Sequence, residues 1–367
     1  MLTSSLAAVV TKPHEELEIK PIPIPDLEPG AMLGRVEAAT LCGTDVHAWE
    51  RNLGRAPFNA YIPGHETAMV IEQMNGPRTD LLGNPLQVGE RVLCAYPRCG
   101  KCYWCTVASQ PSICPNGMSF GRVRCDQPPY LLGGCSEFHY LPPRSDIVKI
   151  PDEVPGALAA ASACALRTVL HGFERLARTG PIEAHETVVV QGSGPVGLFA
   201  VTVARDRGAR RVLVIGDPPN RLQVAEKFGA DATLSLTACP DPSDRRQWVL
   251  DHTMGRGADI GVQCAVGAAI PEGLAFLRDG GRYLSIGGGG GMNLQSLNSH
   301  GFLITVRSGE GRHFYQALEF LGSRRERFPF EQMITGQYTL EGASEALRAM
   351  AEYREVKPVI YPNGKKP

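Results

Sequence analysis

Cys99, Cys102, Cys105 and Cys114 form a CxxCxxC run with a fourth cysteine shortly after it. Thiolates at that spacing can close a tetrahedron around Zn²⁺ with no open position, the arrangement of a structural site. Iron–sulfur ligation and reduced free thiols are the other chemistries that suit four such residues. Cys94, just upstream in an apolar run, reads as a core thiol. A second set is dispersed: Cys42 in CGTDVH, His65 and Glu66 in PGHE, and Cys164 in ACALRT. Two thiolates and one imidazole around zinc would leave a position for water or substrate, as a catalytic site requires, but spacing alone does not bring these residues together.

A third constellation is the stretch TVVVQGSGPVG over residues 187–197. An apolar strand runs into Gly192, Gly194 and Gly197 at GxGxxG spacing, with Pro195 and Val196 opening a helix. The first glycine permits a tight turn, the second lets backbone approach a pyrophosphate, and the third lets helix and strand pack closely. The helix start then supplies N–H donors and the positive end of a dipole. About twenty residues further on, where an acid would bond the ribose 2′-hydroxyl of NAD, stands Asp217. Arg221 follows within reach of the same place, able to contact adenine or a ribose or to accommodate the 2′-phosphate of NADP. The acid favours NAD and leaves NADP open.

The elements that must hold these residues differ along the chain. Its 367 residues suggest two or three domains. Residues 1–160 carry short β-type runs at 34–39, 68–72 and 91–95 between loops rich in Pro, Gly and Cys, with the cysteine lobe at 94–116. From 161 to 308 helices and strands alternate, a texture that predicts parallel βαβ units. Residues 309–367 hold two helical stretches and a last strand, too few for a core of their own, and are expected to complete the first domain.

Lys plus Arg (37) against Asp plus Glu (38) nets −1, which argues against nucleic-acid and membrane-surface partners. No run of about 18 uninterrupted apolar residues suggests a membrane span. The start, MLTSSLAAVVTK, reads as a strand rather than a signal peptide, so a cytoplasmic location is expected. Eleven cysteines, an odd count, point to metal or thiol chemistry rather than a disulfide framework.

The CGTDVH run, the GHE triplet, the four-cysteine lobe, Cys164 and the GxGxxG turn occur in that order. In this the chain resembles the zinc-dependent alcohol dehydrogenases of the medium-chain dehydrogenase/reductase superfamily, and the resemblance covers essentially its whole length. It implies an α/β chain: a GroES-like β-rich catalytic domain plus a Rossmann domain with a doubly wound parallel sheet, the active site lying in the cleft between them. It implies two zinc ions, a catalytic one held by Cys42, His65 and Cys164 and a structural one in the four-cysteine lobe. Glu66 would be a neighbour or transient ligand of the catalytic ion. Thr44 would take the substrate proton, His47 would pass it to solvent, and Asp45 would orient His65. Lys357 would lie near the cofactor pyrophosphate, while Val266, Ile286 and Gly287, by their position after later strands, would wall the nicotinamide.

The substrate expected is a small alcohol or the matching carbonyl compound, secondary or polar. Arg51 and Arg55, in the segment between catalytic ligands, raise the question of an anionic one. A homodimer or homotetramer is implied by the resemblance alone. Two other readings remain open at this point: a relative that reduces a C=N or C=C bond, and a non-catalytic zinc or thiol sensor of the same fold.

Overall fold

The computed structural model describes residues 3–51 (51 by its backbone only), 59–265, 269–287 and 300–364. The chain divides into two compact units. The first comprises Met1–Cys164, Gly309–Ser323 and Met333–Pro367; the second comprises Ala165–Ser308 and Arg324–Gln332.

The first unit begins with a hairpin of β1 (Ser4–Val9) and β2 (Glu18–Pro23). It continues through β3 (Met32–Thr40), α1 (Gly43–Arg51), β4 (Glu66–Met74), β5 (Arg91–Cys94), α2 (Tyr103–Thr106), β6 (Phe138–Leu141), β7 (Ile147–Lys149) and α3 (Gly156–Ala161). The second unit runs through α4 (Arg167–Ala177), β8 (Thr187–Gln191), α5 (Pro195–Asp206), β9 (Arg211–Gly216), α6 (Pro219–Lys227), β10 (Ala232–Ser235) and α7 (Pro242–His252). It continues with β11 (Ala258–Gln263), α8 (Ile270–Ala275), β12 (Leu277–Ser285) and β13 (Phe302–Thr305). The chain then adds α9 (Gly311–Arg324), β14 (Ile334–Tyr338), α10 (Ala343–Ala351) and β15 (Lys357–Ile360).

In the first unit the sheet order is β14-β15-β3-β4-β5-β7, with β6 also on β3. The last strand, β15, lies antiparallel against β3, which is why the C-terminal elements need no core of their own. The second unit is a parallel sheet in the order β10-β9-β8-β11-β12-β13. Its central strand, TVVVQ, is buried at every residue, as expected for a parallel strand covered on both faces.

Two boundaries differ from those read in the sequence. The division falls after Cys164 rather than 160. Arg324–Gln332, expected with the C-terminal part, belongs to the second unit. There Phe330 packs against Phe199 and Phe228, and Arg324 and Arg327 pair with Asp206. The apolar stretch Gly156–Ala177 is long enough by composition to cross a membrane, yet 83% of its most apolar window is buried inside the protein, so it is a core helix. It is also not one regular helix: a π turn at Ser162–Leu166 separates α3 from α4, and Cys164 sits in that turn. Such bulges turn a side chain out of the helical register and recur at functional sites.

Phe330 has no exposed surface. Replacing it with alanine is expected to cost about 3–5 kcal/mol, a loss that denaturant melts should show.

Candidate metal and cofactor sites

The dispersed ligands converge. Side-chain donors of Cys42, His65, Glu66 and Cys164 all lie within 4.8 Å of one another in the first unit. Cys42 precedes α1, whose first turns also carry Thr44, Asp45 and His47. His65 and Glu66 stand at the start of β4, and Cys164 comes from the π turn. Cys42 Sγ is 3.4 Å from His65 Nε2. Ligand bonds of about 2.3 Å to sulfur and 2.0–2.1 Å to nitrogen at a tetrahedral angle place those atoms about 3.5 Å apart, so the pair fits one zinc ion.

Asp45 holds this arrangement together. It is 1% exposed, and its Oδ1 accepts from the Gly64 N–H at 3.1 Å while lying 3.2 Å from His65 Nδ1. Its Oδ2 accepts from the Cys42 N–H at 3.0 Å. A carboxylate on Nδ1 keeps the proton there and leaves Nε2 as the metal-facing lone pair. Two glycines make room: Gly64 has φ +86°, and a Cβ at Gly121 (φ +75°) would meet His65 at 3.1 Å.

The electrostatics suit a cation. A hydrogen bond from Cys164 holds the Cys42 thiol well below its ordinary range, and that bond together with burial pushes Cys164 well above it. The Thr44 N–H also donates to Cys42 Sγ at 3.3 Å, from the N-terminal turn of α1. Burial would lower His65, but Asp45, Tyr96 and the two thiols outweigh it and raise the group well above the usual histidine range.

Glu66 is fully buried, and burial lifts its carboxyl to about 7 against the pull of Lys357. Its Oε2 accepts from Thr40 Oγ1 and pairs with Lys357 Nζ, while Oε1 has no hydrogen-bond partner among the described residues. Strand pairing explains the meeting: Thr40 and Glu66 are register partners on β3 and β4, and β15 lies on the other side of β3. With no exposed surface and its ammonium on Glu66, Lys357 is a buried partner of that carboxylate.

The cysteine lobe forms a second cluster. Its Sγ atoms stand 3.5 Å apart for Cys99 and Cys114, 3.6 Å for Cys102 and Cys105, 3.8 Å for Cys102 and Cys114, and 4.0 Å for Cys99 and Cys105. Four Zn–S bonds of about 2.3 Å require S···S separations of about 3.8 Å, so these thiols already outline the tetrahedron.

In the second unit, Gly192 follows β8 with φ +106°, and Gly194 caps α5. A Cβ on Gly197 would stand 1.9 Å from the Gly192 carbonyl oxygen, so only glycine fits there. Pro195 occupies the first turn of α5, where its missing N–H costs nothing. The Arg221 guanidinium, on α6, is 3% exposed and lies 4.0 Å from where a Gly194 side chain would begin. Asp217 spends much of its bonding capacity internally: Oδ1 accepts from Ser235 Oγ at 2.7 Å, and Oδ2 accepts from the N–H and hydroxyl of Thr237, each at 2.9 Å. A carboxylate has about four acceptor positions, which leaves one for a ribose hydroxyl. Ile286 and Gly287 lie just beyond β12. Val266 and Arg55 fall outside the described residues, as does the Arg51 side chain.

Reading the sequence missed Thr40 as the partner of Glu66, and missed Gln191 and Gln263, each the last residue of an apolar strand. An amide closing an otherwise apolar run was the available signal.

Comparison with known proteins follows this geometry. The family model "Alcohol dehydrogenase GroES-like domain" matches residues 28–152, and the model "Zinc-binding dehydrogenase" matches residues 195–327. The chain is 35% identical to the 5-exo-hydroxycamphor dehydrogenase of Pseudomonas putida over 96% of its length and 98% of that protein. It is 26% identical to the sorbitol dehydrogenase of Bacillus subtilis, over 98% of each. Among solved structures, an alcohol dehydrogenase of Thermotoga maritima superposes with a TM-score of 0.88 at 31% identity, covering 98% of this chain and all of that one.

Asp45→Asn retains the shape of the orienting group and removes its charge. Zinc affinity at the Cys42–His65–Cys164 cluster should fall about 10–100-fold, with the four-cysteine site unaltered, in a chelator competition followed by metal analysis.

Proposed function

Because the chain belongs to the zinc-dependent alcohol dehydrogenases of the medium-chain dehydrogenase/reductase superfamily, and thus carries out NAD(P)-linked alcohol oxidoreduction, we propose that it interconverts a secondary alcohol and its ketone. The observation that carries the reading is the convergence of Cys42, His65 and Cys164 within 4.8 Å of one another, with Cys42 and His65 at a separation a tetrahedral zinc accepts. Zinc held there would supply a Lewis acid that eases loss of the alcohol proton, and bound NAD(P) would supply the hydride acceptor. Support for a secondary alcohol comes from the relatives named for 5-exo-hydroxycamphor and sorbitol, compounds that both bear a hydroxyl on an internal carbon.

The chain's own residues have these roles in the proposal. Cys42, His65 and Cys164 hold the catalytic ion, and Cys99, Cys102, Cys105 and Cys114 the structural one. The Thr44 hydroxyl takes the substrate proton, and His47, one helical turn along α1 with its side chain 43% exposed, hands it to solvent. Asp45 fixes His65, and Glu66 stands by with one unpartnered oxygen. Gly192, Gly194 and Gly197, with Pro195 and Val196, seat the pyrophosphate on α5, and Arg221 adds a cation beside that turn. Asp217 takes the 2′-hydroxyl of NAD and disfavours a 2′-phosphate. Ile286 and Gly287, just beyond β12, would lie toward the nicotinamide, the side on which the sequence also puts Val266. A cytoplasmic homo-oligomer completes the proposal. Its support is β13, the outer strand of the parallel sheet, with Phe302 half-exposed on an edge of the kind proteins usually cover.

Three outcomes test this. Cys42→Ala should reduce turnover by about a thousandfold or more while NADH still binds, as followed by nucleotide fluorescence; unchanged turnover would sink the assignment. In an absorbance screen at the NADH band, secondary alcohols should exceed their primary isomers about tenfold in kcat/KM. NAD should exceed NADP by a similar factor, about tenfold.

A further inference from the structure

The sheet of the second unit carries a polar row along its carboxyl edge that none of the roles above uses. Gln191, Gln263 and Ser285 are register partners on the adjacent strands β8, β11 and β12. All three are buried, and Gln263 is fully so. Gln191 accepts from Tyr283 Oη at 2.6 Å and donates to the Ala269 carbonyl at 2.9 Å.

Gln263 spans a gap between two chain segments. Its Oε1 accepts from the Gly287 N–H at 2.9 Å and from Ser285 Oγ at 3.2 Å, and its Nε2 donates to the Ala265 carbonyl. Ala265 is confined between two glycines. A Cβ on Gly192 would meet Ala265 N at 3.2 Å, and a Cβ on Gly287 would meet Ala265 O at 1.9 Å. The Gly192 side of this contact is held by the sheet ladder, since the Cys264 N–H donates to the Gln191 carbonyl at 2.8 Å. On the Gly287 side the Ile286 and Gly287 N–H groups donate to the Gln263 carbonyl at 2.9 and 3.0 Å, and the Gln263 amide adds the side-chain link that joins Gly287 to Ala265.

Sheet order says what lies over this gap. With the pyrophosphate at the turn after β8 and the adenosine half toward Asp217 after β9, the other half of the dinucleotide must extend over β11 and β12. We propose that Gln263 is a positioning residue for the nicotinamide half of the cofactor: its amide sets the spacing of Ala265 and Gly287, and so the floor on which that ring rests. The proposal depends on the placement of the nicotinamide beside Gly287 given above.

The test is a binding measurement on the zinc-loaded enzyme with NADH and with ADP-ribose, which lacks the nicotinamide. Gln263→Leu should raise the Kd of NADH about tenfold, because the Ala265 carbonyl and the Ser285 hydroxyl lose their partner, and leave that of ADP-ribose within about twofold. Equal losses for both ligands, or no loss for either, overturn the proposal. Should Gln263→Leu not fold, Ser285→Ala removes one bond to the same amide and should weaken NADH alone, by about threefold; unchanged NADH binding then overturns it. Gly287→Ala separates the two levels. If it impairs NADH alone while Gln263→Leu does not, the nicotinamide placement stands and the role of Gln263 fails. If neither variant impairs NADH, the placement fails too.

Discussion

One buried carboxylate organises the metal site. Asp45 accepts from the backbone of Cys42 at the start of α1 and from Gly64 just ahead of β4, and it sits on the far nitrogen of His65. A helix start and a strand start, 20 residues apart in sequence, are thereby locked to one another. Burying an unpaired carboxylate would be costly, so those three contacts are also the condition for Asp45 being where it is. Cys42 and His65 inherit their positions from that balance. Cys164 needs a different device, the π turn that breaks the register of an otherwise apolar core helix.

The nucleotide-binding unit is organised by close backbone approach. At Gly197 and Gly287 a side chain would collide with a carbonyl oxygen at 1.9 Å, and at Gly192 the chain takes a left-handed turn. Such contacts leave polar backbone groups little freedom, and the glutamines that end β8 and β11 satisfy part of them from within the sheet. Both units therefore use the same economy. A buried polar side chain adds a link between segments to those the backbone makes.

Much of this was legible in the residues. The spacing of Cys99, Cys102, Cys105 and Cys114 announces a closed zinc site because the four thiols are near neighbours along the chain, and the loop between them has few ways to fold. The strand-turn-helix around Gly192 is legible for a similar reason, since each glycine answers a local steric demand. The pairing of Lys357 with Glu66 was not legible because it is set by the pairing of β15, β3 and β4, and no local pattern encodes which strands become neighbours. Arg324–Gln332 was assigned to the wrong part of the chain because its anchor is Phe330 packed on Phe199 and Phe228, a contact invisible to helical periodicity.

The sequence by itself determined the chemistry available: six thiols and an imidazole of metal-ligating type, a hydroxyl and a histidine one helical turn apart, and a turn shaped for a pyrophosphate. These are properties of residue type and of spacing over a few positions. Tertiary structure alone decided which charges are paired and which acceptors are spent. The carboxylate of Glu66 shares one oxygen between Thr40 and Lys357, and that of Asp217 is largely occupied by Ser235 and Thr237. The physical reason is that burial removes water as the default partner, so each polar group must take whichever neighbour the sheet registers bring to it.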